Sequence, residues 1–257
     1  MKLQLFFILL ILVVMVVLVF RSTTRENYSG VLPRILHLVL YSPGTGYDQM
    51  YEATRGYYKS VYYYSYDDSI TEDHKLVGDR LLIKGKESYL PGILEKTLKA
   101  FRVFPLSEYD YVLRSNVSTV VDVESVRRHL AEHPLDYAGG YVHQLQWLDK
   151  SNGIVDRRHW GTKYASGTAI LLSTKAVNEL LEKPEVVDKS VIDDVAIGVA
   201  MKRLGYSPVC FLSRFIAVEK TPMNTGGKWF FRHRTADRVK DSENMKWLLK
   251  TLTPSSS

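Results

Sequence analysis

Residues Leu5 to Phe20 are apolar without a break, and Leu3 and Gln4 extend the run towards Lys2. A bilayer core takes roughly 20 apolar residues, within a range of about 17–25. The run has no charge and no polar stripe, which a buried core helix would show. A cleaved signal peptide is the rival reading. The run exceeds a usual signal-peptide apolar region, and VVLVFRSTT has no small-x-small cleavage site. The pattern predicts an uncleaved membrane anchor over 1–20 and a short polar stem over 21–33. Lys2 on one side and Arg21 and Arg25 on the other leave the orientation undetermined by charge. Asn27-Tyr28-Ser29 fits the N-glycosylation acceptor pattern and nudges the following domain towards a lumen.

Beyond Pro33 the apolar pattern changes period repeatedly. ILHLVLYS (Ile35 to Ser42) predicts a buried strand, followed by the turn residues Pro43, Gly44 and Gly46. Tyr47 to Ser60 has helical spacing, and SVYYYSY (Ser60 to Tyr66) and DRLLIK (Asp79 to Lys84) are strand-like. Pro91 to Phe104 predicts a helix with Ile93, Leu94, Leu98 and Phe101 on one face. A strand follows at Tyr109 to Arg114, a helix at Val123 to Glu132, and a strand at Leu135 to Val142. Gly161 to Ser173 begins as a loop and becomes the strand AILLS. Helices are predicted at Thr174 to Glu182 and at Asp193 to Leu204, which Gly205 stops, and a strand at Ser207 to Phe215. Strands alternating with helices predict an α/β domain with a largely parallel sheet, whose ligands sit beyond the carboxyl ends of strands. That domain is placed at 34–250, with a disordered tail at 251–257.

Composition narrows the classes. A chain of 257 residues, 46% hydrophobic, buries a sizeable core and is not mostly disordered. Its single cysteine, Cys210, excludes an intrachain disulfide framework and a four-cysteine zinc site. The net charge of +6 is spread along the chain and argues against nucleic acid as a partner. No CxxC, HExxH, Walker loop or GxSxG occurs, and the seven histidines lack ligand spacing, so no metal set is assigned.

Several stretches carry candidate chemistry. Asp193 and Asp194 open a helix; one carboxylate can cap it while the other points into a cleft as a general base, because successive residues diverge by roughly 100°. The small residues Ser166, Gly167 and Thr168 let a second molecule approach the backbone, or simply make a tight turn. Arg114, Ser115, Asn116 and Ser118 end a strand, which fits an Asx or Ser turn, and Asn116-Val117-Ser118 is a second acceptor pattern for N-glycosylation. Arg232, His233 and Arg234 follow three aromatic residues, and either close over an anion such as a diphosphate or form a solvated basic edge.

Taken together these stretches resemble glycosyltransferase family 31, which contains β-1,3-galactosyltransferases, β-1,3-N-acetylglucosaminyltransferases and Fringe. Arg55, in Thr54-Arg55-Gly-Tyr-Tyr58, falls where the family has IRxTW. Asp79 to Tyr89 matches the length of D-I-x-Q-x-D-F-x-D-S-Y, with Glu87-Ser88-Tyr89 on D-S-Y. Lys96-Thr97-Leu98 matches L-K-T-L after one extra residue. Tyr164 to Ser173 is similar to YxxGxGYVLS, and Asp193-Asp194-Val195-Ala-Ile-Gly198 to E-D-V-Y-x-G. The resemblance runs from about Arg34 to Phe215.

The resemblance implies a GT-A (Rossmann-like, nucleotide-sugar-binding) domain of a type II membrane protein in the Golgi or ER lumen. It implies inverting transfer of a hexose or N-acetylhexosamine from a UDP-sugar to a glycan or glycoprotein acceptor. Asp194 becomes the general base. Arg55, Lys96, Arg114, Asn116 and Ser118 fall on the donor side, and Asp193, Ser166, Gly167 and Thr168 on the acceptor side. One departure matters. The family's K-T-D-D-D-V-F-V aligns with Arg114 to Val121, so the DxD metal ligands become Asn116, Val117 and Ser118, poor ligands for Mg²⁺ or Mn²⁺. Three explanations stand open. Basic side chains (Arg114, Lys96, Arg232, Arg234) offset the diphosphate charge without metal, or metal ligands come from elsewhere. Alternatively the chain is a catalytically inactive glycan- or nucleotide-sugar-binding module.

Overall fold

The computed structural model describes residues 31–44, 46–211, 214–217, 227–235 and 237–252. The expected anchor, most of the stem and the Asn27 acceptor pattern lie outside the described residues. Among the described residues no helix is long and apolar enough to cross a membrane.

The chain enters the domain through β1 (Ile35–Leu40), whose alternation feeds two cores. Leu36 and Leu38 pack on one face of the sheet, and Val39 and Tyr41 on the other. Next come α1 (Tyr47–Thr54), β2 (Tyr62–Asp67), β3 (His74–Val77) and β4 (Arg80–Lys84). Helix α2 (Gly92–Val103) buries Leu94, Leu98 and Phe101, and leads into β5 (Tyr111–Asn116). After β6 (Val120–Val121) and α3 (Val123–Glu132) come β7 (Tyr137–Gly139), β8 (Val142–Gln144), β9 (Lys163–Ala165) and β10 (Ala169–Ser173). Then follow α4 (Thr174–Glu182), α5 (Asp193–Arg203), β11 (Val209–Cys210), β12 (Arg214–Ala217), β13 (Phe230–His233) and α6 (Arg238–Leu252).

The main sheet has eight strands in the order β11-β7-β10-β5-β1-β2-β4-β3. β5, β1, β2 and β4 are mutually parallel, as is β11 to β7. β10 runs antiparallel between β5 and β7, and β3 antiparallel along the edge. From β1 the chain first proceeds outwards to β2 and β4, then returns over α2 to β5 on the other flank of β1. That reversal opens a crevice beyond the carboxyl ends of β1 and β5. The antiparallel sense of β10 brings the start of that strand to the same crevice: Asn116 N–H donates to the Thr168 carbonyl at 3.3 Å.

Two expected strands and one expected loop are corrected. The stretch 135–142 divides into β7 of the main sheet and β8 of a small hairpin with β9. The break falls at Gly139-Gly140, where added Cβ atoms would lie 2.7 Å from Ala165 Cβ and 2.8 Å from the Phe230 ring. Close approach of two layers therefore requires glycine there. The stretch 207–215 divides between β11 and β12, which belong to different sheets. The loop 161–168 contains β9, which the pattern does not announce. At the other end, α6 runs through Leu252, two residues into the stretch expected as a tail; residues 253–257 lie outside the described residues. Helix α6 buries Met245, Leu248 and Leu249 at helical spacing and is tied to α1 by Ser242 Oγ donating to Gln49 Oε1 at 2.7 Å.

Candidate active site

A cleft of about 710 Å³ occupies the crevice beyond β1 and β5. Its floor comes from Leu40, the last residue of β1, with Ser42, and from Asn116, the last residue of β5, with Val117 and Ser118. Ser166, Gly167 and Thr168 before β10 and Asp193 and Asp194 at the start of α5 border it. The far wall carries Arg232, Arg234 and Arg238.

Helix α5 is seated deep in the fold. It is buried along most of its length, and Gly198 allows contact with β9, since a Cβ there would lie 2.3 Å from Tyr164 Cβ. Its first turn therefore cannot turn outwards, and both aspartates are held at the cleft. Their roles diverge. Asp193 is buried and accepts from the Arg114 guanidinium. Asp194 is half-buried and faces the cleft. One Asp194 oxygen accepts the Gly167 N–H at 2.9 Å, and the other accepts the Val195 N–H at 2.9 Å. Burial, then repulsion by Asp193, pushes the Asp194 carboxyl up to about 6, against the opposing pull of the Gly167 N–H and Arg114.

Two of the expected donor-side residues do not line the cleft. Lys96 is fully buried: its ammonium donates to both Glu87 oxygens at 2.6 Å, to Ser42 Oγ at 3.0 Å and to the Tyr41 carbonyl at 3.0 Å. It braces Glu87 and the end of β1 from beneath the cleft, which it does not line. Arg55 lies just past α1 on the surface, paired with Glu52 at 3.2 Å, and is absent from the cleft lining. The helix stops at Thr54 rather than Ser60, so the chain turns away before Arg55 can face inwards.

Arg114 lines the cleft but is 1% exposed, with its donors engaged by Tyr64, Asn116, Gly167 and Asp193. Asn116 and Ser118 lie at the cleft floor. Ser166 and Thr168 are buried at its edge, Thr168 Oγ1 donating to Ser166 Oγ at 3.2 Å. Arg232 and Arg234 are both in the cleft, while the side chain of His233 lies outside the described part of the chain. Burial, then Arg234 and Arg238, lowers the Arg232 guanidinium to about 10. Among the described residues neither Arg232 nor Arg234 forms an ion pair with a carboxylate, whereas Arg238 pairs with Asp241 at 3.1 Å. The sequence reading missed Tyr47, Asn152 and Arg238 as lining residues. No local motif marks them; they arrive at the cleft by packing of α1, the 145–162 loop and α6.

The floor does not suit Mg²⁺ or Mn²⁺. Asn116 Oδ1 accepts from Arg114 at 2.9 Å, and of the carboxylates that line the cleft Asp193 is paired with Arg114 and Glu87 with Lys96, which leaves Asp194. A fixed guanidinium beside the amide repels a divalent cation, and hard cations need several free oxygens. Among the described residues no cluster of three His, Cys, Asp or Glu side chains has metal-holding geometry.

No protein-family model matches the sequence, and no curated protein matches it. Among solved structures the chain is similar to a glycosyltransferase involved in the glycosylation of the major capsid of PBCV-1. The identity is 12%, over 84% of this chain and 100% of that one, with a TM-score of 0.46. The resemblance to family 31 therefore rests on the motifs quoted above.

Proposed function

We propose that this chain is an inverting glycosyltransferase that moves a hexose or N-acetylhexosamine from a UDP-sugar to a glycan hydroxyl. The observation that carries the reading is the composition of one cleft. It holds a carboxylate of raised proton affinity, Asp194, together with arginines that have no carboxylate partner among the described residues. The two halves fit the two partners of a displacement. Asp194 accepts the proton of the acceptor hydroxyl as its oxygen forms a bond to the anomeric carbon. The bond from that carbon to the diphosphate breaks, and UDP leaves with the electron pair. Arg232 and Arg234, with Arg238 beside them, meet the charge on the departing diphosphate. With a pKa of about 6, Asp194 is ionised at neutral pH yet more basic than an ordinary carboxylate. General-base assistance of this kind contributes roughly 10²–10⁴-fold. The reaction so drawn uses no metal. The apolar run over 5–20 supports a membrane anchor, and the resemblance to family 31 supports a type II orientation with this cleft in a secretory lumen.

The test is thermal unfolding of the full chain in detergent with UDP, GDP and a panel of UDP-sugars, each with Mn²⁺ and again with EDTA. A ligand that binds only the folded state adds about 2.7 kcal/mol at a hundredfold excess over Kd. Stabilisation by UDP that survives EDTA is the expected result, and the stabilising sugar then defines the donor for transfer assays. Stabilisation with no transfer to any acceptor identifies the alternative, an inactive binding module, which the loss of carboxylates at 116–118 favours. No stabilisation by any nucleotide sinks the donor-site reading.

A further inference from the structure

Arg114 is the most buried charge in the cleft, at 1% exposure. Its Nε donates to the Tyr64 hydroxyl at 3.3 Å, and one terminal nitrogen donates to Asn116 Oδ1 at 2.9 Å and to the Gly167 carbonyl. The other terminal nitrogen donates to Asp193. Four of its five N–H groups are taken up by these bonds, whereas Arg232 and Arg234 have no carboxylate partner among the described residues. What these bonds do share is Asp194. Gly167 gives its N–H to Asp194 at 2.9 Å while its carbonyl is held by Arg114, and Asp193 is the residue adjoining Asp194. The packing is tight: a Cβ on Gly167 would sit 3.2 Å from the guanidinium and 3.4 Å from the Asp194 carboxylate.

We infer that Arg114 is a positioning residue for Asp194, clamping the Gly167 carbonyl and the Asp193 carboxylate so that Asp194 stays oriented and ionised in the cleft. This rests on the reading of Asp194 as the base. Two adjacent carboxylates at a buried helix start repel, and a like charge disfavours ionisation of its neighbour. A guanidinium cannot escape by losing its proton. It therefore neutralises Asp193 permanently and adds a favourable field at Asp194. The other groups facing Asp194 are Tyr137 from β7, Tyr164 from β9 and Tyr89 after β4, with Arg232, Arg234 and Arg238 across the same cleft. Burial raises the proton affinity of all three tyrosines, so they remain neutral through the working range.

The experiment compares the full-length wild type with Arg114→Gln, Asp193→Asn, the double variant and Asp194→Asn. It follows the ¹³C carboxyl titration of Asp194, assigned by its loss in Asp194→Asn, and the pH dependence of transfer. Arg114→Gln moves the Asp194 titration and the acid limb of the rate profile to higher pH. A shift of about one unit or more leaves roughly tenfold less ionised base on that limb. Asp193→Asn moves both to lower pH, and the double variant falls between the two single variants. Arg114→Gln leaves Asp193 buried without its cation and is the variant most at risk of unfolding. The double variant has no orphaned charge, and its titration lying above that of Asp193→Asn isolates the contribution of Arg114. Superimposed titrations for those two variants overturn the inference whatever the activity. An Asp194→Asn variant that transfers sugar at the wild-type rate overturns the base reading, and with it the catalytic meaning of the clamp, even where the order of titrations holds.

Discussion

Gly167 donates its backbone N–H to the Asp194 carboxylate at 2.9 Å, across 27 positions of sequence. The bond joins the loop before β10 to the first turn of α5, and so joins the two borders of the cleft nearest the candidate base. It also pulls the Asp194 carboxyl down, against the larger upward push of burial and Asp193.

The net upward shift gives a stability prediction with a definite sign. A carboxyl at about 6 in the fold, above its unfolded value, favours the folded state below the unfolded pKa, and that contribution is lost as pH rises through 6. Asp194→Asn abolishes transfer yet stabilises the chain at pH 7–8, on the order of 1–2 kcal/mol. The advantage disappears below about pH 4, where Asp194 is protonated in both states. Denaturant unfolding of both proteins across pH checks it; equal stability at pH 8 removes the burial argument.

Burial, and then repulsion by the two other arginines on its wall, lower the proton affinity of Arg232. Arg232→Ala relieves that repulsion, so the unliganded protein keeps its Tm or gains slightly. The same change reduces stabilisation by UDP, with at least a tenfold rise in Kd, about 1.4 kcal/mol. Calorimetric titration with UDP in EDTA reads the affinity directly. Unchanged affinity in Arg232→Ala and Arg234→Ala removes the diphosphate from this wall.

Lys96 and Glu87 form a pair in which the ammonium is fully buried. Lys96→Met leaves Glu87 without its cation and Ser42 and the Tyr41 carbonyl without a donor. Because Glu87 is partly exposed to water, the loss is smaller than for breaking a fully buried pair, on the order of 1 kcal/mol. Lys96→Met/Glu87→Gln recovers a large part of it, measured by urea unfolding. Lost UDP binding with unchanged stability in Lys96→Met returns Lys96 to the donor site.

Arg55 supplies the contrast. It is exposed, pairs with Glu52 and lies over the Tyr51 ring, both on the adjoining turn. Arg55→Ala changes stability by less than about 0.5 kcal/mol, the usual range for surface positions. Its UDP stabilisation equals the wild type, and a clear loss of that stabilisation reinstates the motif-based assignment.

Much of the frame is legible along the chain. Helices over Val123–Glu132 and Thr174–Glu182 appear with the expected bounds, because each pairs an N-terminal Asp or Ser cap with a clean apolar stripe. Where two layers approach closely the local pattern misleads. The run from Leu135 to Val142 reads as one strand, but contact with Ala165 and Phe230 breaks it at Gly139-Gly140. Helix α6 is charged over most of its surface, and its buried positions acquire meaning against α1 and β13.

The site divides along the same line. Sequence by itself determined the residue types: two carboxylates opening a helix, a small-residue loop before a buried strand, an Arg-Ser-Asn strand end in place of carboxylates, and arginines flanking His233. Those follow from local chemistry, which spacing preserves. Tertiary structure decided the partners. It turned Lys96 inwards to Glu87, left Arg55 on the surface, enclosed Arg114 between Asp193 and Gly167, and brought Arg238 to the cleft. Arg114 and Asp193 are 79 residues apart in the chain and adjacent in space because β10 inserts beside β5 and α5, packed on β9, starts next to them. Burial and charge pairing depend on that distance in space, and no local pattern encodes it.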